Sequence, residues 1–117
     1  MSTLDKKPSA VKLHLTAHHA ALYSAGMIRS FRNRALQAFW QKDDASRISG
    51  DLRIRLSKRL YALDGAASPE EMNVPGFNFH RLQGKPVRYS VHVNGPWCIT
   101  FEWDGEDAAQ VDLEQYH

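Results

Sequence analysis

Val93-Asn-Gly-Pro-Trp-Cys-Ile-Thr-Phe-Glu-Trp-Asp-Gly-Glu-Asp-Ala-Ala-Gln-Val-Asp-Leu-Glu-Gln-Tyr-His117 decides the fold class. Trp97, Ile99, Phe101 and Trp103 alternate with Cys98, Thr100 and Glu102, the period of a strand with one apolar face. Asp104-Gly105 supplies hairpin turn chemistry. Val111 and Leu113 then alternate with Asp112 and Glu114 in a shorter strand. The stretch finishes on Tyr116-His117, an aromatic and an imidazole that a purely structural strand has little need of.

Working back toward the N-terminus, Tyr89, Val91 and Val93 alternate with Arg88, Ser90 and His92. Pro75-Gly76 marks a turn, so the periodicity predicts strands over Phe77–Leu82, Val87–Val93, Pro96–Trp103 and Ala109–Leu113. One sheet face would carry Tyr89, Val91, Val93, Ile99, Phe101, Val111 and Leu113. The other would carry Arg88, Ser90, His92, Cys98, Thr100 and Glu102, and reads as an open, polar substrate platform.

Ahead of the strands the period changes to that of a helix. Leu52, Leu56, Leu60 and Leu63 form one stripe, capped by Ser49 or Asp51 and stopped by Gly65. Arg53, Arg55, Lys58 and Arg59 decorate the remainder, as a solvated face or as an RNA- or partner-binding strip. Leu36, Phe39 and Trp40 mark an earlier helix over Asn33–Lys42. Ser68-Pro-Glu-Glu71 reads as a single capped turn, and Met27–Phe31 as a short strand. Two helices followed by an antiparallel meander indicate an α+β domain, the helices packed on one sheet face.

The 117 residues suit one domain with a modest core; 43% are hydrophobic and 24% charged, as in soluble globular proteins. No apolar run approaches the roughly 20 residues needed to cross a bilayer, and Lys6, Lys7 and Lys12 precede no apolar signal-peptide core. The single Cys98 excludes an internal disulfide and suits a reducing cytoplasm. Residues 27–117 hold 12 Lys plus Arg and 12 Asp plus Glu, so the +2 of the whole chain comes from residues 1–26. Any basic site in the domain must therefore arise by clustering. Residues 1–26 read as an N-terminal extension, flexible or a mis-assigned start. Within them His14 and His18 have the i, i+4 spacing of a metal pair but no third ligand, and no metal site is expected there.

Met27-Ile-Arg-Ser-Phe31, Asn73-Val-Pro-Gly76, Phe79-His-Arg-Leu-Gln-Gly84, Gly95-Pro-Trp-Cys-Ile-Thr-Phe101 and Tyr116-His117 together resemble the HigB toxins of the RelE/ParE toxin–antitoxin superfamily. The resemblance covers residues 27–117 and implies the RelE-like microbial RNase fold. It implies an endoribonuclease that cuts mRNA on the ribosome, needs no metal or other cofactor, and is held by a HigA-like helix-turn-helix antitoxin. It matches His80 to a strand histidine, and Tyr116 and His117 to a C-terminal tyrosine and histidine. Three charged positions of relatives are neutral here: Gln83, Cys98 and Gln115.

RNA cleavage without metal uses the substrate's own 2′-hydroxyl as nucleophile. Imidazole, with an unperturbed pKa of about 6.5, can take that proton and return one to the leaving group. His80 and His117 are the candidates, with Tyr116 for a phosphate hydrogen bond or base stacking. Arg88, Lys85 and Arg81 are the candidate phosphate binders, and Arg88 is expected to replace the cation absent at Cys98. A structural reading stands beside each: His80 as a surface strand residue, Tyr116 as a packing aromatic, Cys98 as a small strand residue. The alternative function is that of the ParE branch, a non-enzymatic inhibitor that binds DNA gyrase.

Overall fold

The structure, a computed structural model, describes residues 27–116. Residues 1–26, with the His14 and His18 pair, and the terminal His117 lie outside the described residues.

Helix α1 spans Arg34–Lys42. Asn33 caps it, its Oδ1 accepting the Leu36 N–H at 2.9 Å, which satisfies one of the orphan donors of the first turn. Leu36 and Trp40 are buried and Phe39 is partly so, as the spacing predicts. Helix α2 spans Arg53–Gly65 after a single 3₁₀ turn, Gly50–Leu52. The stripe of Leu52, at the end of that turn, and Leu56, Leu60 and Leu63 on α2 is buried throughout, each side chain contributing about 1.5–3 kcal/mol by leaving water. Neither Ser49 nor Asp51 caps α2: the Ser49 hydroxyl donates to the Asp51 carboxylate, and Arg53 Nε reaches back to the Ile48 carbonyl at 2.9 Å.

Four strands form an antiparallel meander in the order β1-β2-β3-β4: β1 His80–Arg81, β2 Tyr89–Asn94, β3 Trp97–Asp104 and β4 Asp107–Gln115. The outer edge of β4 is closed by the 27–31 segment, through parallel bridges Ile28 to Ala108 and Phe31 to Val111. That pairing removes a free edge. The predicted Phe77–Leu82 strand shrinks to β1 because its first half does other work. The Phe77 carbonyl accepts the His92 N–H at 2.7 Å, and Asn78 takes φ +48°.

Val91, Val93, Ile99, Phe101 and Val111 are buried on the helix side of the sheet, with Tyr89 and Leu113 partly buried beside them. A bulge in β4 adds Ala108 to this core. Thr100 opposes Asp112 while Glu102 opposes Ala109, so β4 carries one extra residue, and Gln110 takes φ +51°.

The other face is not the open platform that alternation suggests. Thr100, Ser90 and Cys98 on it are all buried. The long side chains of Arg88, Glu102 and Glu114 fold over one end, and only the other end is hollow. Arg59 also departs from the solvated helix face: it is 8% exposed. Its guanidinium bonds the carbonyls of His92, Arg55 and Gly76 and lies 4.5 Å over the Phe77 ring.

Candidate active site

The hollow end of the polar face is a cavity of about 280 Å³. Its floor is Ser90 and Cys98, and its walls are His80 and Asn78 on one side and His92 with the Gly95-Pro96 turn on another. Tyr116 and Leu82 complete the lining. Strand register brings these residues together: His80 opposes Ser90, and His92 opposes Cys98, which opposes Glu114. His80 and His92 are thus diagonal neighbours on one face, roughly 7–8 Å apart by ordinary sheet geometry.

Each wall is anchored. His80 Nε2 lies 3.1 Å from Asn78 Oδ1, and donation there leaves the Nδ1 lone pair of the neutral ring free to accept a proton. His92 Nε2 lies 2.8 Å from the Gly95 carbonyl. Gly95 holds φ +57°, a turn conformation that costs glycine little. The Tyr116 N–H donates to the Pro96 carbonyl at 2.7 Å, pinning the end of the chain beside that turn. Burial first, and Glu114 second, raise the Tyr116 phenol above its ordinary value. Near pH 7 it is a neutral phenol able to donate a hydrogen bond.

Of the expected site residues, His80 and Tyr116 line the cavity, and His117 follows Tyr116 outside the described residues. None of the three expected phosphate binders lines it. Arg81 has the opposite strand parity to His80, and Lys85 is exposed in the loop between β1 and β2. Arg88, expected to supply the cation absent at Cys98, lies outside the cavity with its guanidinium taken up by other groups. Its Nη1 donates to Glu102 at 3.0 Å, and its Nη2 to Thr100 Oγ1 at 2.8 Å and the Gln110 carbonyl at 3.1 Å. Glu114 lies 3.9 Å from Nη2, and Thr100 donates to that carboxylate in turn. Arg32 Nη2 also reaches Glu102 at 3.4 Å, so Arg88 sits in a network of two carboxylates and two guanidinium groups.

Arg88→Met is accordingly expected to destabilise the domain, by about 2 kcal/mol. That is less than the 3–5 typical of a fully buried broken pair, because both glutamates keep some water. Thermal unfolding should report a loss of roughly 8–16 °C. An unchanged melting temperature with lost activity would return Arg88 to the phosphate site.

Two cavity residues, His92 and Asn78, were not singled out as chemical groups from the sequence. Parity places His92 on the correct face, but only the turn and Tyr116 turn that face into a cavity. A wider groove of about 530 Å³, lined by Phe31, Arg32, Arg34, Lys42 and Arg47 among others, has no imidazole among the described residues that line it. It lacks groups for proton transfer near neutrality, so the smaller cavity is the better catalytic candidate.

Among the described residues no helix is long and apolar enough to cross a membrane. The chain is 33% identical over 92 residues to Endoribonuclease HigB of Proteus vulgaris, an alignment covering 78% of this chain and all of that protein. Residues 29–117 match the family described as the RelE-like toxin of the type II toxin-antitoxin system HigB. With its two helices on a four-stranded meander and its C-terminal Tyr-His, the chain belongs to the HigB-like family of toxins, the toxin half of a toxin–antitoxin pair.

Proposed function

We propose that this toxin is an endoribonuclease that cuts mRNA on the ribosome and works in the cytoplasm, restrained by a HigA-like helix-turn-helix antitoxin. The observation that carries the catalytic reading is that His80 and Tyr116 share one cavity, with a second imidazole, His117, covalently next to Tyr116. In this reading His80 Nδ1 takes the proton of the 2′-hydroxyl and O2′ attacks phosphorus. His117 then protonates O5′ as the P–O5′ bond breaks, leaving a 2′,3′-cyclic phosphate and a 5′-hydroxyl. Tyr116 donates to a phosphate oxygen or stacks on a base. Exposed Arg81 and Lys85 hold flanking phosphates, where charge matters more than fixed geometry.

Residues 27–117 are the functional unit in this reading. The Met27 N–H and the Arg29 guanidinium both bind the Asp107 carboxylate at the start of β4, so the domain is tied down from its first residues. Mapping of mRNA 5′ ends after induction tests the whole reading. Wild type and a chain starting at Met27 are expected to give the same discrete cuts in translated regions, and His117→Ala to lose them. Growth arrest with intact mRNA would instead favour the gyrase-binding inhibitor. Cuts that persist in His117→Ala would remove that residue from the mechanism.

A further inference from the structure

RNA cleavage at this cavity needs a group to carry the negative charge that builds on phosphorus. Among the described residues the lining contains no Lys or Arg. Arg88 is committed to Glu102 and Glu114, and Arg59 spends its donors on carbonyls behind the sheet. Among the described residues lining the cavity, the groups able to carry positive charge are therefore two imidazoles, His80 and His92. His80 lies on a two-residue edge strand and is the candidate for proton transfer. His92 lies on β2, between β1 and β3, with its N–H bound to Phe77, its carbonyl bound to Arg59 and its ring held on Gly95.

We propose that His92 is a further catalytic residue, the anion-binding group of the cavity, taking the scissile phosphate on its Nδ1–H as an imidazolium. The proposal rests on the endoribonuclease reading for the identity of the anion. With Nε2–H given to the Gly95 carbonyl, Nδ1 can donate only when the ring is protonated, so the phosphate and a proton arrive together. The ionisable groups around His92 are His80 from β1, Cys98 from β3, Glu114 from β4, Tyr116 just after β4, and Arg55 and Arg59 from α2. Cys98, the cross-strand partner of His92, is small and leaves the imidazole room. A cation placed at position 98 should therefore reach the same phosphate.

The test uses His92→Gln, whose amide can still donate to Gly95 but carries no charge. Single-turnover cleavage of mRNA in a purified translation system should fall about a hundredfold, the scale for loss of one such donor. Its thermal unfolding should be close to wild type. Cys98→Arg in that background should recover at least about tenfold. Affinity for a ten-nucleotide 2′-O-methyl RNA, which lacks the nucleophile, should fall about tenfold in His92→Gln and recover in the double variant. Cleavage within twofold of wild type, or a loss that Cys98→Arg leaves untouched, overturns the proposal. So does equal affinity of wild type and His92→Gln for the oligonucleotide. A wild-type protein that binds the oligonucleotide through His92 yet cuts no mRNA would instead refute the endoribonuclease reading and leave the anion site standing.

Discussion

His80→Ala should lower the single-turnover rate of mRNA cleavage by about a thousandfold, the middle of the range for a lost general base or acid. The expectation rests on geometry. His80 lines the cavity, and Asn78 Oδ1 at 3.1 Å holds one ring nitrogen while the other is left for substrate. His80 is exposed, so its removal should change folding stability by no more than about 0.5 kcal/mol. Activity and stability thus separate cleanly. His80→Gln keeps a hydrogen-bonding amide but cannot carry a proton, and should be nearly as inactive as alanine. If His80→Ala cleaves within a few fold of wild type, His80 is an ordinary surface residue, and His92 and His117 become the proton-transfer pair.

Arg59→Met is expected to be the most destabilising single change on α2 outside its leucine stripe, at about 3 kcal/mol. Arg59 is buried, and burial first, then Arg55, lower its guanidinium from its ordinary value. The group stays charged because carbonyl oxygens of Arg55, Gly76 and His92 accept from it. Charge-assisted bonds of this kind contribute about 1.5–3 kcal/mol each and do not add fully. Methionine fills most of the volume but leaves three carbonyls short of a partner. For a domain of this size the melting temperature should fall by roughly 12–24 °C. Arg59→Lys keeps the charge but not the fork, and should recover less than half of that loss. A drop of under 3 °C in Arg59→Met would show that water replaces the guanidinium at little cost. The same variant should loosen the cavity, since Arg59 ties the His92 carbonyl to the loop before Asn78 and His80.

Residues whose environment follows from a short period were legible in the sequence. The leucines of α2 repeat on one helical face, and Val91, Val93, Ile99, Phe101 and Val111 alternate along strands. Both patterns report directly which side leaves water. The order of two helices and a meander followed from them. The strand histidine, His80, entered as a candidate for chemistry through the family resemblance, and the closing Tyr116-His117 through its residue types as well.

Tertiary structure decided what depends on partners distant in the chain. Arg59 and Arg88 have side chains long enough to reach several neighbours, so helix face and strand parity could not say where their charges go. One is turned inward by carbonyls on β2 and on the loop before β1. The other is captured by Glu102 and Glu114 from two neighbouring strands. The bulge at Gln110 shifts the alternation of β4, because Ser30 bonds the Gln110 N–H and Arg88 takes the Gln110 carbonyl. Phe77 leaves the strand pattern because its carbonyl answers His92. His92 itself shows the division most plainly. Alternation along β2 puts it on the polar face, but it enters a cavity only because the Gly95-Pro96 turn folds back and Tyr116 is pinned beside it. Sequence periodicity carries the direction of a side chain relative to its own backbone. It carries no information about which distant segment closes over that side chain, and the cavity consists of such closures.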